Sequence, residues 1–204
     1  MKNYKRIAAL ALAGAVAVFG LAACGSSDQN AATPETSGAQ VQTEAADDGE
    51  DLGFTEVEIF SGVEREFLNL NAVYFQPVDM TGGYNAEDYD CHLELDVSAL
   101  ANGFGYGTGD WVPYLTVEYE VSKNDGSFTD SGTFMPMAAS DGPHYGNNIA
   151  LAEGEYTITL SIKSPAENGY LLHVDDETGV DAKDGFWTEP LEATWTGWKF
   201  VKEW

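Results

Sequence analysis

The chain has 204 residues, of which 9 are Lys or Arg and 34 are Asp or Glu, for a formal net charge of −25. So acidic a chain is excluded in effect as a nucleic-acid binder, because affinity for phosphate backbones comes from basic side chains that release counterions. Two cysteines also exclude a disulfide scaffold, and neither a Cys-x-x-Cys pair nor a Gly-x-Ser-x-Gly nucleophile elbow occurs.

In chain order, Lys2, Lys5 and Arg6 precede an apolar run from Ile7 to Ala23, which ends in Leu21-Ala22-Ala23-Cys24. A charged start, a short apolar segment and small residues before the cut mark a secretory signal peptide. A Cys directly after them matches the bacterial lipobox, whose sulfur receives diacylglycerol. Residues 1–23 are therefore expected to be removed and Cys24 lipidated, which anchors the chain at the extracytoplasmic face of the cell membrane. The cut removes three basic residues and no acidic one, leaving six against 34 and a formal charge of −28. Such a surface can concentrate cations, and it is equally an ordinary device for solubility. Residues 24–53 are rich in Ser, Thr, Ala, Gln, Asp and Glu, with no aromatic residue before Phe54. They cannot bury enough apolar surface to offset chain entropy and read as a disordered acidic tether.

Residues 54–204 make one domain, long enough for a well-formed core. Its periodicity is two: Tyr156, Ile158, Leu160 and Ile162 alternate with Thr157, Thr159, Ser161 and Lys163, and Leu115, Val117, Tyr119 and Val121 alternate with polar residues. Further strands are expected at about Phe54–Phe60, Phe67–Gln76, Cys91–Val97, Gly132–Met137, Tyr170–Val174 and Leu191–Val201, with turn signals such as Asn124-Asp125-Gly126 between them. Many short strands without crossover helices predict an all-β fold, an immunoglobulin-like antiparallel β-sandwich, with a closed barrel as the alternative. Cys91 has no partner if Cys24 is lipidated and reads as a small buried residue.

The chain contains only three histidines, His92, His144 and His173. In the Cys91–Val97 strand, His92 and Glu94 point the same way, roughly 6.5 to 7 Å apart along the chain, so both can address one ion. Met135-Pro136-Met137 is extended by its proline, which lets the two thioethers share a side. Ser140-Asp141-Gly142-Pro143 demands a loop between Met137 and His144, and Asp141 can either orient a ligating imidazole or cap the turn. Met80 is a further thioether, able to join this site or a second one. Imidazole, thioether and carboxylate together suit copper in either oxidation state and can also hold iron.

The segment Gly132–Gly146, with its run Met135-Pro136-Met137-Ala138-Ala139-Ser140-Asp141-Gly142-Pro143-His144-Tyr145-Gly146, resembles the periplasmic iron-transport accessory family. So do Gly109–Val117, His92-Leu93-Glu94, Asp176–Val180 and Trp187–Pro190, so that the likeness spans the domain from Val57 onward. That family consists of copper-containing immunoglobulin-like sandwich proteins of high-affinity iron uptake, among them a spirochaetal metal-binding lipoprotein. The resemblance implies copper ligands at His92, Met137, His144 and His173, with Glu94 close by. It also implies a homodimer with metal sites near the subunit interface, and a membrane iron permease as partner. Many members of that family are freely soluble, whereas this chain carries a lipobox.

The function expected on these grounds is a lipid-anchored protein that binds copper and iron and supports iron uptake, without enzymatic activity. Its metal affinity should fall as the pH drops through the histidine range. The alternative is a carbohydrate- or protein-binding module with Trp111, Trp187, Trp195 and Trp198 as an exposed stacking platform.

Overall fold

A computed structural model describes residues 55–204; the expected signal peptide, the lipidation residue Cys24, the tether and Phe54 lie outside the described residues. The described chain is built from eight strands: β1 (Val57–Arg65), β2 (Leu68–Phe75), β3 (Cys91–Ala99), β4 (Thr116–Lys123), β5 (Thr129–Ala138), β6 (Pro143–Ile149), β7 (Gly154–Lys163) and β8 (Leu191–Phe200). Two short 3-10 turns, Ala86–Asp88 and Pro165–Asn168, are the only helical pieces among the described residues. None of the described helices is long and apolar enough to cross a membrane.

Period-two sequence becomes half-buried strand wherever one face meets the core. In β7, Tyr156, Ile158, Leu160 and Ile162 are essentially fully buried while the residues between them face outward. Val117, Tyr119 and Val121 of β4 meet them across the ladder, Val117 opposite Ile162 and Tyr119 opposite Leu160. Tyr145 of β6 joins this core and satisfies its own hydroxyl, donating to the Val112 carbonyl at 2.9 Å and accepting from the Leu115 N–H at 3.0 Å.

All pairings are antiparallel, in the spatial order β1-β2-β3-β6-β5-β4-β7-β8. The all-β antiparallel expectation therefore holds, in the form of one sheet that curls almost into a barrel. Its edges approach where the Phe60 and Trp195 rings lie 5.8 Å apart and the Arg65 guanidinium donates to the Glu192 carbonyl. β5 makes the corner. Its residues Thr129–Phe134 pair with β4, and Met135–Ala138 pair with β6. A strand that changes partner mid-length is how sheets turn corners, and it places Met135 and Met137 just past the bend.

Two expectations change. Tyr170–Val174 is not a strand: Leu171 is 86% exposed and Val174 50%, and the Tyr170 ring stacks on Tyr106 and packs at a tilt against Tyr114 instead of entering a ladder. An apolar run without true alternation has no face to commit to a core. Conversely, Pro143–Ile149 is a full strand, so Ser140–Gly142 is only the tip of a β5–β6 hairpin, closed by Ala139 N–H donating to the Gly142 carbonyl. Gly142, at φ +146°, gives that tip its conformation.

Candidate metal centre

Register assembles the site. Across β3 and β6, His92 stands opposite Asn148 and Glu94 opposite Gly146; across β6 and β5, Gly146 stands opposite Met135 and His144 opposite Met137. Because side chains alternate faces, His92, Glu94, His144, Met135 and Met137 all emerge on the face turned away from the core. Gly146 lies in the middle of this group with no side chain, and the His92 imidazole leans into the space. A Cβ there would meet its Nε2 at 2.6 Å and the Leu93 carbonyl at 3.0 Å.

His92, Glu94 and His144 offer ligand atoms that all lie within 4.8 Å of one another. The His144 Nδ1 is 3.4 Å from a Glu94 carboxylate oxygen, and the two imidazoles are 6.0 Å apart at nearly right angles. All three residues are under 5% exposed, although their sheet face is the outer one. Their cover is the segment after β2. Asn148 Nδ2 donates to the Val78 carbonyl at 2.7 Å, which turns its Oδ1 toward the His92 Nδ1 at 2.9 Å. An amide oxygen only accepts, so Nδ1 carries the proton and Nε2 keeps the lone pair a metal needs. Phe75, opposite His92 on β2, packs against the same ring at 5.0 Å.

Burial also sets protonation. The His92 imidazole is pushed down to about 4, chiefly by desolvation and against the Asn148 hydrogen bond. His144 is likewise lowered by desolvation, with the charges of Asp141 and Asp96 opposing. The Glu94 carboxyl is pushed up to about 8 by desolvation first, then by Asp96, Asp141 and Glu56. Two neutral imidazoles, one carboxyl and a thioether are a donor set that fits copper, which accepts imidazole and oxygen as Cu(II) and thioether as Cu(I).

The other predicted residues fall elsewhere. Asp141 is exposed on the hairpin tip, where it acts on His144 and Glu94 through its charge rather than through a hydrogen bond to the ring. His173 lies exposed in the loop after Tyr170, with its backbone carbonyl accepting from Val180, and it is not part of the buried group. Cys91 is fully buried, its thiol pushed up to about 12 by burial, and faces the core rather than the site. Of the four tryptophans named for a stacking platform, Trp198 is buried, Trp111 and Trp187 pack against the core, and Trp195, 41% exposed, lies against Phe60 at the barrel seam. Sequence reasoning missed Asn148 and Gly146. A small residue two positions after His144 and an amide four positions after it were the available signals, legible only if Pro143–Ile149 is first read as a strand.

The Fe2+ transport protein family model matches residues 53–201. The chain belongs to that family. Among similar curated proteins, the 34 kDa membrane antigen of Treponema pallidum is 38% identical over 198 residues, covering 91% of this chain and 94% of that protein. Among solved structures, FetP of uropathogenic E. coli, isolated after expression in the periplasm, is 42% identical with a TM-score of 0.65, covering 72% of this chain and 97% of that one. The copper-reconstituted P19 protein of Campylobacter jejuni is 40% identical with a TM-score of 0.66, again covering 72% and 97%. Copper-bound structures are thus found among the relatives of this Fe2+ transport family member, on the same fold.

Proposed function

We propose that this chain is an extracytoplasmic metal-binding protein that holds copper at His92, Glu94, His144 and Met137, also takes iron, and delivers to a membrane iron permease without catalysing a covalent step. The observation that carries the reading is the buried meeting of His92, Glu94 and His144 within 4.8 Å, with Met137 directly opposite His144 in the hairpin. Buried donors with no cation among them cost desolvation free energy, and a bound cation offsets it. The copper-bound relatives on the same fold support the choice of metal.

The finer parts belong to the same proposal. Residues 1–23 are the signal peptide, Cys24 carries the lipid, residues 24–53 tether the domain 54–204, and the relative named as a membrane antigen supports the anchor. The two halves of the curled sheet, on either side of the β5 corner, are the layers of an immunoglobulin-like sandwich. The active form is a homodimer. Since His173 lies outside the buried group of its own chain, it reaches the metal as the contribution of a second copy, with Asp141 tuning the site by its charge.

The test is elemental analysis and Cu(II) titration of the purified protein, followed by visible absorption. One copper per site is expected, lost in His144→Ala. Copper that remains substoichiometric in the wild type, or binding unchanged in His144→Ala, would overturn the proposal.

A further inference from the structure

The described residues contain three methionines, Met80, Met135 and Met137, and every one of them lines a single cavity of about 560 Å³ together with His92 and His144. None of the three belongs to the hydrophobic core or to the partly buried residues packed against it. That placement is unusual for methionine, whose ordinary use is to fill core gaps. The backbone at Met80 is held in a closed turn. Its N–H donates to the Tyr84 carbonyl at 2.9 Å, and the Asp79 carboxylate accepts from the Ala86 N–H at 2.9 Å, which closes the turn that carries it. Asn148 pins Val78, two residues earlier, to the same amide that orients His92. Met135 approaches from β5, opposite Gly146 and two residues from Met137, hence on the same face.

We infer that Met80 and Met135 form a second, thioether-based position in this cavity, selective for a soft monovalent ion, Cu(I), and separate from the imidazole and carboxylate donors of His92, Glu94 and His144. Thioether sulfur is a soft donor that binds Cu(I) and contributes little to hard or borderline divalent ions. Imidazole nitrogen thus enters the cavity from β3 and β6, and sulfur from β5 and from the turn after β2, where the Asp79 carboxylate is already engaged by the Ala86 N–H. Binding at the second position needs no change in oxidation state. The inference shares the cavity of the proposed function and adds an ion to it.

The test compares the full chain with the double variant Met80→Leu/Met135→Leu, in which leucine keeps the apolar volume and hence the fold. Cu(I) is titrated against a chromophoric Cu(I) chelator, Ag(I) is followed through the methionine methyl resonances, and Cu(II) is titrated separately. The wild type should take one Cu(I) more than the double variant, Ag(I) should shift the Met80 and Met135 methyl signals, and Cu(II) binding should be the same in both. Equal Cu(I) stoichiometry in the two proteins, or Met80 and Met135 methyl signals unmoved by Ag(I), would overturn the inference. A failure of Cu(II) to bind in either protein would count against the proposed function alone, since the Cu(I) difference does not depend on it.

Discussion

Glu94 is the residue on which the chemistry of the centre turns. Its carboxyl is pushed up to about 8, while the His92 imidazole beside it is pushed down to about 4. Near neutral pH these directions favour the neutral His92 imidazole that a metal requires and a Glu94 carboxyl that must give up its proton to bind one. Glu94 therefore adds its own proton competition, at higher pH, to the fall in affinity expected through the histidine range. Apparent Cu(II) affinity should rise by about one log unit per pH unit up to about pH 8 and level off above it. In Glu94→Gln that slope should vanish between pH 6 and 8, as competition titrations at several pH values will register; an undiminished slope would assign the proton elsewhere. The same shifts govern the metal-free fold. The raised Glu94 value makes stability decline as pH climbs from 4.5 toward about 8, and the lowered His92 value makes it decline as pH drops from 6.5 toward about 4.

Among the elements, β6 holds the site together, although its sequence, opening on Pro143 directly after Gly142, carries the marks of a loop. One face of β6 supplies Tyr145 and Ile149 to the core, and the other supplies His144, Gly146 and Asn148 to the centre. Gly146 is the gap into which His92 leans. Gly146→Ala should destabilise the fold by about 1–3 kcal/mol through overpacking between two paired strands. By displacing the imidazole it should also weaken Cu(II) by roughly 10- to 100-fold, the size of effect seen when a ligand loses its support. Chemical denaturation and copper titration measure the two separately. A variant of unchanged affinity would show that His92 is not a ligand in this orientation.

At the scale of the whole molecule, the fold leaves His173 on an exposed loop beside Leu171 and Val174, apart from the other two histidines. If a second copy completes the centre, two separately defective chains should repair each other. Homogeneous His173→Ala and homogeneous His92→Ala should each bind copper weakly, whereas a mixed dimer should recover one intact centre, visible as a step of tight binding on mixing. Additive, unrepaired binding would place His173 outside the centre.

Much of the fold and part of the centre were legible in the residues. Alternation in β4 and β7 is a local property of a chain with one buried face, so it announces the strands and the all-β class directly. The pairing of His92 with Glu94 on one face follows from the same period of two, and the family resemblance followed from the Met-Pro-Met to Pro-His-Tyr-Gly run. Only the tertiary structure decided that this face is buried, because the cover is a segment after β2 held by Asn148, a contact between residues 70 positions apart. It likewise decided that Met137 stands opposite His144, that Gly146 makes room for a ring, and that His173 stays away. Those outcomes depend on register and on which loop lies over which strand, and strand period alone specifies neither.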